Sequence, residues 1–263
     1  MTLLDSHART GAVARINPVA KLGASAAVAL PLILTLDVVS AAVALGLELL
    51  LFPLAGLTWR EFWVRTWPVW LAAPLTGLTI ALYGETSGTV YVDWFVVRIS
   101  EGSLELALAT TLRVLAIALP SVVLFVTVDP TDLADGLGQV LRLPARFVLG
   151  ALAGLRMVGL FLDDWRALEL ARRARGVADR GRLRRFLGMA FALLVLSLRR
   201  GSKLATAMEA RAFGAPGERT WARESTFGGR EWALIGVGLA VALVATAAAV
   251  AAGTWNFILG PSA

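Results

Sequence analysis

The sequence predicts an all-α integral membrane protein, with about five transmembrane helices and long amphipathic helices at the cytoplasmic face. Composition is the first reason. Hydrophobic residues make up 57% of the 263-residue chain and charged residues 17%, where soluble domains carry roughly half and about a quarter. Mean hydropathy is +0.72. The second reason is local: several apolar runs approach the ~20 residues that a helix needs to cross a bilayer. The third is the placement of charge. Residues 129–231 hold 18 Lys and Arg against 11 Asp and Glu, while the remainder holds 7 against 8. The formal charge of +6 thus comes from one segment.

The N-terminal leader is polar, with Arg9, Arg15, Lys21 and the lone histidine, His7. The apolar run that follows lacks a small-residue cleavage site before a polar start, so it reads as a retained span rather than a signal peptide. It covers Val19 to Leu36, and Asp37 marks a turn. A second span covers Val38 to Gly56 and contains Glu48. Thr58 to Thr66 reads as a short polar loop. The third span runs from about Trp67 to Tyr83, with Pro68 and Pro74, which membrane helices tolerate. Trp59, Trp63, Trp67 and Trp70 suit an interfacial belt. Gly84 to Ser103 is a polar loop with Glu85, Asp93 and Glu101 against Arg98. The fourth span is Leu104 to Val128, carrying Arg113. The last is Trp232 to Ala252, with Trp255-Asn256-Phe257 as an interfacial anchor.

Cytoplasmic segments are enriched in Lys and Arg. That rule puts 129–231 inside, and with four spans before it the N-terminus is inside too. Phe147 to Leu162 and Phe186 to Leu198 are apolar but only 16 and 13 residues long. Were both to cross, Asp163 to Arg185 and its eight arginines would lie outside. Long helices at the cytoplasmic face fit better. Asp129-Pro130-Thr131-Asp132 is a helix start, with Leu133, Leu137 and Leu141 at helical spacing. Pro144 begins a second helix, of about 32 residues and roughly 48 Å, which Gly176 stops. Asp179 to Gly181 turns the chain. A third helix runs from Arg182 to Arg211 and ends at Phe213-Gly214-Ala215-Pro216-Gly217. The chain thus divides into 1–128, a leader with four spans; 129–231, the cytoplasmic helices; and 232–263, the last span and tail.

Two segments close the long helices in the same way: Ala174-Arg175-Gly176 and Ala210-Arg211-Ala212. In each, an Arg sits between small residues at a helix end. With so little bulk beside it, the planar guanidinium can approach a partner and take a carboxylate with two parallel hydrogen bonds. Read alone, each is a basic helix end favoured by the helix dipole.

The whole arrangement, from about Asn17 to Ala252, resembles the T component of energy-coupling factor (ECF) transporters. Asn17-Pro18-Val19-Ala20-Lys21 is similar to that family's Pro-x-x-Lys segment before the first span. Arg113 matches an Arg of its fourth span. Asp129 to Leu133, through Leu143-Pro144, resembles its first coupling helix and the proline after it. Ala174-Arg175-Gly176 matches its first Ala-Arg-Gly signature. Ala210-Arg211-Ala212 matches the second, with Ala212 where Gly is common. The resemblance implies a non-catalytic, multi-pass subunit of a bacterial or archaeal cell membrane, without cofactor. Two ATP-binding-cassette ATPases would dock at the two arginine signatures. A membrane S component, which captures a vitamin or transition metal, would lie against the apolar stripes of the long helices. ATP-driven closure of the ATPases would then move that partner.

Arg113 lies within a span, where charge costs roughly 3 kcal/mol or more. It is read as paired, with Glu48 or Glu105 as candidates, in a structural role. Arg180, Arg182, Arg184 and Arg185 suit anionic lipid headgroups or an acidic ATPase surface. Adjacent Asp163 and Asp164 point apart on a helix and read as a solvated face rather than a metal or acid–base site. Cysteine is absent, which excludes disulfides, thiolate metal sites and cysteine nucleophiles. No G-x-x-x-x-G-K-[ST] loop occurs, so nucleotide hydrolysis falls to another chain. Other readings are the permease of a different ATP-driven importer, which would use an Ala-rich, Gly-containing loop of other spacing, and an integral-membrane enzyme, which would cluster His, Cys or acidic groups. A nucleic-acid anchor fits poorly, because the arginines alternate with apolar stripes; no nucleic-acid partner is expected.

Overall fold

The computed structural model describes residues 13–84, 87–94, 97–176, 181–214 and 220–256. His7, Arg9, Glu85, Asp179, Arg180, Ala215-Pro216-Gly217 and Phe257 lie outside the described residues. The helices are α1 (Pro18–Leu34), α2 (Val38–Leu51), α3 (Trp59–Tyr83), α4 (Glu101–Val126), α5 (Pro130–Gln139), α6 (Ala145–Ala174), α7 (Arg182–Ala210) and α8 (Gly229–Ala251). Strands β1 (Val90–Trp94) and β2 (Val97–Ser100) form the sheet found among the described residues. The chain is an all-α membrane protein that divides into two compact units. One holds 13–133 and 226–256 and the other 134–225.

In the first unit, polar side chains cap α1 to α4 where the sequence changes character. Asn17 Oδ1 accepts from the Val19 N–H at 3.0 Å and Pro18 occupies the first turn, where a missing N–H is harmless. The Asp37 carboxylate accepts from the Ser40 N–H at 2.6 Å and the Ser40 hydroxyl at 2.7 Å, capping α2. Thr58 and Glu61 cap α3 reciprocally, with Thr58 N–H to Glu61 Oε2 at 3.1 Å and Glu61 N–H to Thr58 Oγ1 at 3.4 Å. This corrects the expected loop over Thr58 to Thr66. The capping box satisfies the orphan amides, and α3 runs for 25 residues.

The expected polar loop over Gly84 to Ser103 is in part a hairpin. β1 and β2 pair antiparallel, Val90 opposite Ser100 and Asp93 opposite Arg98, with an irregularity between Val90 and Val92. The β-branched residues Val90, Val92, Val97 and Ile99 favour extended backbone. Ser100 then caps α4, accepting from the Ser103 N–H at 3.2 Å, so α4 begins three residues before the expected Leu104.

Among the described residues, four segments are long and apolar enough to cross a membrane, by length and composition: Val38–Ala55, Glu101–Val126, Ala145–Ala174 and Gly229–Ala251. α1 is apolar but has 17 residues. α3 is absent from that set, since its prolines, tryptophans and Arg60, Glu61 and Arg65 dilute it. α6 is in it, although the sequence reading placed that stretch at the membrane face. Its apolar residues gather in the N-terminal half, to Leu162, and its charges follow.

The core of the first unit joins Val28 and Leu32 of α1, Ala44 and Leu45 of α2, Ala73 of α3, Leu115, Ala116 and Leu119 of α4, and Val241 and Ala245 of α8. Small residues bring the axes close, as in membrane bundles generally. At the α1–α8 crossing a Cβ on Gly238 would stand 2.7 Å from the Ala24 carbonyl oxygen. Gly238→Leu therefore forces the two helices apart. We expect a loss of about 1–3 kcal/mol, read as a lower midpoint for unfolding in detergent, whereas Gly236→Leu, which meets open space, leaves it unchanged.

Candidate docking site

The two arginine signatures end their helices with nearly the same backbone. Ala174 and Ala210 are the last helical residues. Arg175 follows at φ −88, ψ 3 and Arg211 at φ −95, ψ 16. The next residue turns left-handed in both, Gly176 at φ 66 and Ala212 at φ 55. The Gly176 N–H donates to the Arg173 carbonyl at 3.0 Å, and the Ala212 N–H to the Glu209 carbonyl at 2.9 Å. At α7 the Phe213 N–H also reaches the Met208 carbonyl at 3.0 Å, which completes a Schellman cap. The turn stops the helix and leaves each Arg side chain outward. Arg175 and Arg211 are exposed, as are Ala174, Gly176, Ala210 and Ala212. Among the described residues neither guanidinium takes part in an ion pair or a side-chain hydrogen bond.

Both helix ends belong to the unit of residues 134–225. There two ion pairs and an aromatic contact join α6 to α7. Arg200 grips Asp164 with Nη1 to Oδ2 at 2.7 Å and Nη2 to Oδ1 at 3.2 Å. Glu169 Oε1 accepts from Arg173 at 2.8 Å and from Arg185 of α7 at 2.6 Å. Trp165 tilts against Phe186 with centroids 5.7 Å apart. Asp164 is therefore an interhelical anchor, not the solvated face expected for the Asp163-Asp164 pair. Asp163 alone stays at the surface, beside Arg166 at 3.6 Å. Residue type gave a signal for this, three acidic residues within one stretch of α6 and a basic α7, but no partner assignment. Val148 and Met189 are the buried hydrophobics of α6 and α7, while Phe147, Leu155, Phe186, Leu187, Phe191 and Leu198 are exposed.

The intramembrane charges differ from expectation. Glu48 is buried at 3% exposure, and neither carboxylate oxygen has a hydrogen-bond partner. Arg113 Nη2 is buried without a hydrogen bond among the described residues, so the expected pairing of Arg113 with Glu48 does not form. Glu105 is exposed.

Residues 11–221 match the family model described as CbiQ, cobalt transport protein. The chain belongs to the CbiQ family. Its relatives carry the name energy-coupling factor transporter transmembrane protein EcfT. The chain is 31% identical to that of Limosilactobacillus fermentum over 57% of its own length and 62% of the relative's. It is 27% identical to that of Brevibacillus brevis over 72% and 73%, and 26% identical to that of Streptococcus equi subsp. equi over 78% and 81%. The match to the Limosilactobacillus protein thus spans under two thirds of that relative. As a CbiQ-family member the chain is a transmembrane transport component.

Two outcomes follow for this site. A non-glycine residue in the left-handed region costs roughly 1–2 kcal/mol, so Ala212→Gly should steady the α7 terminus by about 1 kcal/mol, seen as slower hydrogen exchange at the Phe213 amide. In a double-mutant cycle, Asp164→Ala and Arg200→Ala should couple by about 1 kcal/mol, the range for well-oriented, partly exposed pairs; additive losses would show that the pair does not hold the helices.

Proposed function

We propose that this chain is the coupling subunit of an ECF-type importer, passing ATP-driven motion from two cytosolic ATP-binding-cassette ATPases to a membrane S component that captures a vitamin or transition-metal ion. The observation that carries this reading is the repeated helix end: two exposed arginines, each between small residues and each followed by a left-handed turn. A guanidinium so presented meets a carboxylate on a partner with two bonds in one plane. Two equivalent ends match a pair of ATPases, one arginine for each.

The exposed apolar side chains of α6 and α7 supply the second contact, to the S component. Because ion pairs at Asp164 and Glu169 hold these helices together, their leucines and phenylalanines remain available. A smooth apolar surface suits a partner that reorients within the bilayer.

On this reading residues 129–231 and the N-terminus face the cytoplasm. α6 is apolar enough to span, but its C-terminal half and the α7 start carry the arginines, and placing them outside would oppose the charge rule. The S component and bilayer cover its apolar half instead.

Arg175→Glu with Arg211→Glu should reduce recovery of the ATPases with the tagged chain by at least about tenfold, since each charge-assisted contact contributes about 1.5–3 kcal/mol, while membrane insertion is kept. Undiminished recovery would rule these arginines out as docking contacts. The natural chain has no cysteine, so Leu183→Cys gives a single label site. It should react with a membrane-impermeant maleimide in inside-out vesicles and stay silent in intact cells; labelling of intact cells would remove the cytoplasmic platform.

A further inference from the structure

The chain leaves the bundle between Leu133 and Ala134 and re-enters between Ser225 and Thr226. Both connections are pinned on the bundle side by the first turn of α1. Lys21 is fully buried and donates from Nζ to Thr127 Oγ1, just past α4, at 2.7 Å. Asn17 donates from Nδ2 to the Thr226 carbonyl at 2.9 Å. Its backbone N–H reaches Glu231 Oε1 at 3.4 Å.

On the other side of the boundary one side chain joins the same two connections. Gln139 ends α5. Its Nε2 donates to the Arg223 carbonyl at 2.8 Å, and its Oε1 accepts from the Ser225 N–H at 2.9 Å. Both polar halves of one amide are thus bonded to backbone more than 80 residues away. Alongside, Trp221 closes on the last turn of α5, where a Cβ on Gly138 would stand 2.6 Å from its ring. Residues 221–227 form neither helix nor strand, so the Gln139 amide supplies partners to backbone groups that no ladder serves.

We propose that Gln139 is a positioning residue for transport: it ties the outgoing helix α5 to the returning segment, so that movement of residues 134–225 acts on α4 and α8 together. The proposal rests on the coupling reading above. With the amide bonded to both connections, a pull on either is shared. Without it, the extended return segment lengthens and α8 no longer follows. Asn17 and Lys21 hold the bundle ends of the same two connections, which gives the load a fixed base.

The test uses the full chain with its co-purified ATPases in proteoliposomes. A single spin label is placed at Val237→Cys on α8, where the side chain is exposed. In the otherwise unchanged protein, ATP and magnesium should alter the label's mobility. Gln139→Ala should keep ATPase recovery and hydrolysis within about twofold yet cut the label response about tenfold, as two net hydrogen bonds cease to bias the linked state. Gln139→Glu should do the same, because a carboxylate still accepts from Ser225 but cannot donate to the Arg223 carbonyl. A full label response in both variants overturns the proposal, as does a response that falls only in step with hydrolysis, the mark of general destabilisation. If the unaltered chain recovers no ATPase, the coupling reading itself fails and this proposal with it. If ATPases are recovered but the unaltered label ignores ATP, the coupling reading stands and the linkage is wrong.

Discussion

Asp164 and Glu169 hold three arginines between them: Arg200 and Arg185 across from α7, and Arg173 one turn along α6 itself. Two helices of about 30 residues would ordinarily be held by an apolar seam. Here apolar contact is limited, with Met189 buried and Trp165 meeting Phe186 across the pair, while Leu155, Leu187 and Leu198 stay exposed. The pairs are only partly buried, with side-chain exposures of 39% and 21% for Arg200 and Asp164. The desolvation penalty that makes buried pairs expensive is thus reduced, and the bidentate geometry keeps the orientation defined.

The other unit follows the opposite rule. Its helices α1, α2, α4 and α8 meet through alanine, glycine, valine and leucine, and polar groups sit mostly at the helix ends as caps. Glycine at position 238 lets α8 come against the Ala24 backbone. In hydrocarbon, where lipid tails are as apolar as leucine, close contact of small residues gives the dispersion attraction that larger side chains would prevent. One chain thus contains a bundle joined by close packing and a helix pair joined by ion pairs.

Helix positions were largely legible in the sequence because punctuation residues lie where caps form: Asp37, Asp129-Pro130, Pro144, Gly176. The failures have physical causes. The Thr58 to Thr66 stretch is polar, and polarity suggested a loop, while the Thr58–Glu61 capping box and an aromatic stripe make it helical. The hairpin over Val90 to Ser100 is a short alternation inside a loop of mixed composition, too brief to outweigh its acidic residues. Glu48 and Glu105 are candidate partners for Arg113 by sequence, but Glu48 is buried without a hydrogen-bond partner among the described residues and Glu105 is exposed, since nothing in a sequence fixes which way each side chain faces in the bundle. At the candidate site, both arginine signatures could be found by spacing. The partners Asp164–Arg200 and Gln139–Ser225 could not, since they join positions 36 and 86 residues apart and nothing in either local pattern selects the other.

The two helix ends show which property of the signature matters. Gly176 reaches φ 66 without cost, whereas Ala212 at φ 55 carries a Cβ against the following carbonyl. If the signature required only a small residue beside the arginine, Ala212 could extend the helix or turn with negative φ, and the strain would be absent. It adopts the left-handed turn all the same, held by the Ala212 and Phe213 amides on the Glu209 and Met208 carbonyls. What the two ends share is therefore the conformation: a bridge-region arginine followed by a left-handed residue. Glycine reaches it by freedom and alanine with two hydrogen bonds.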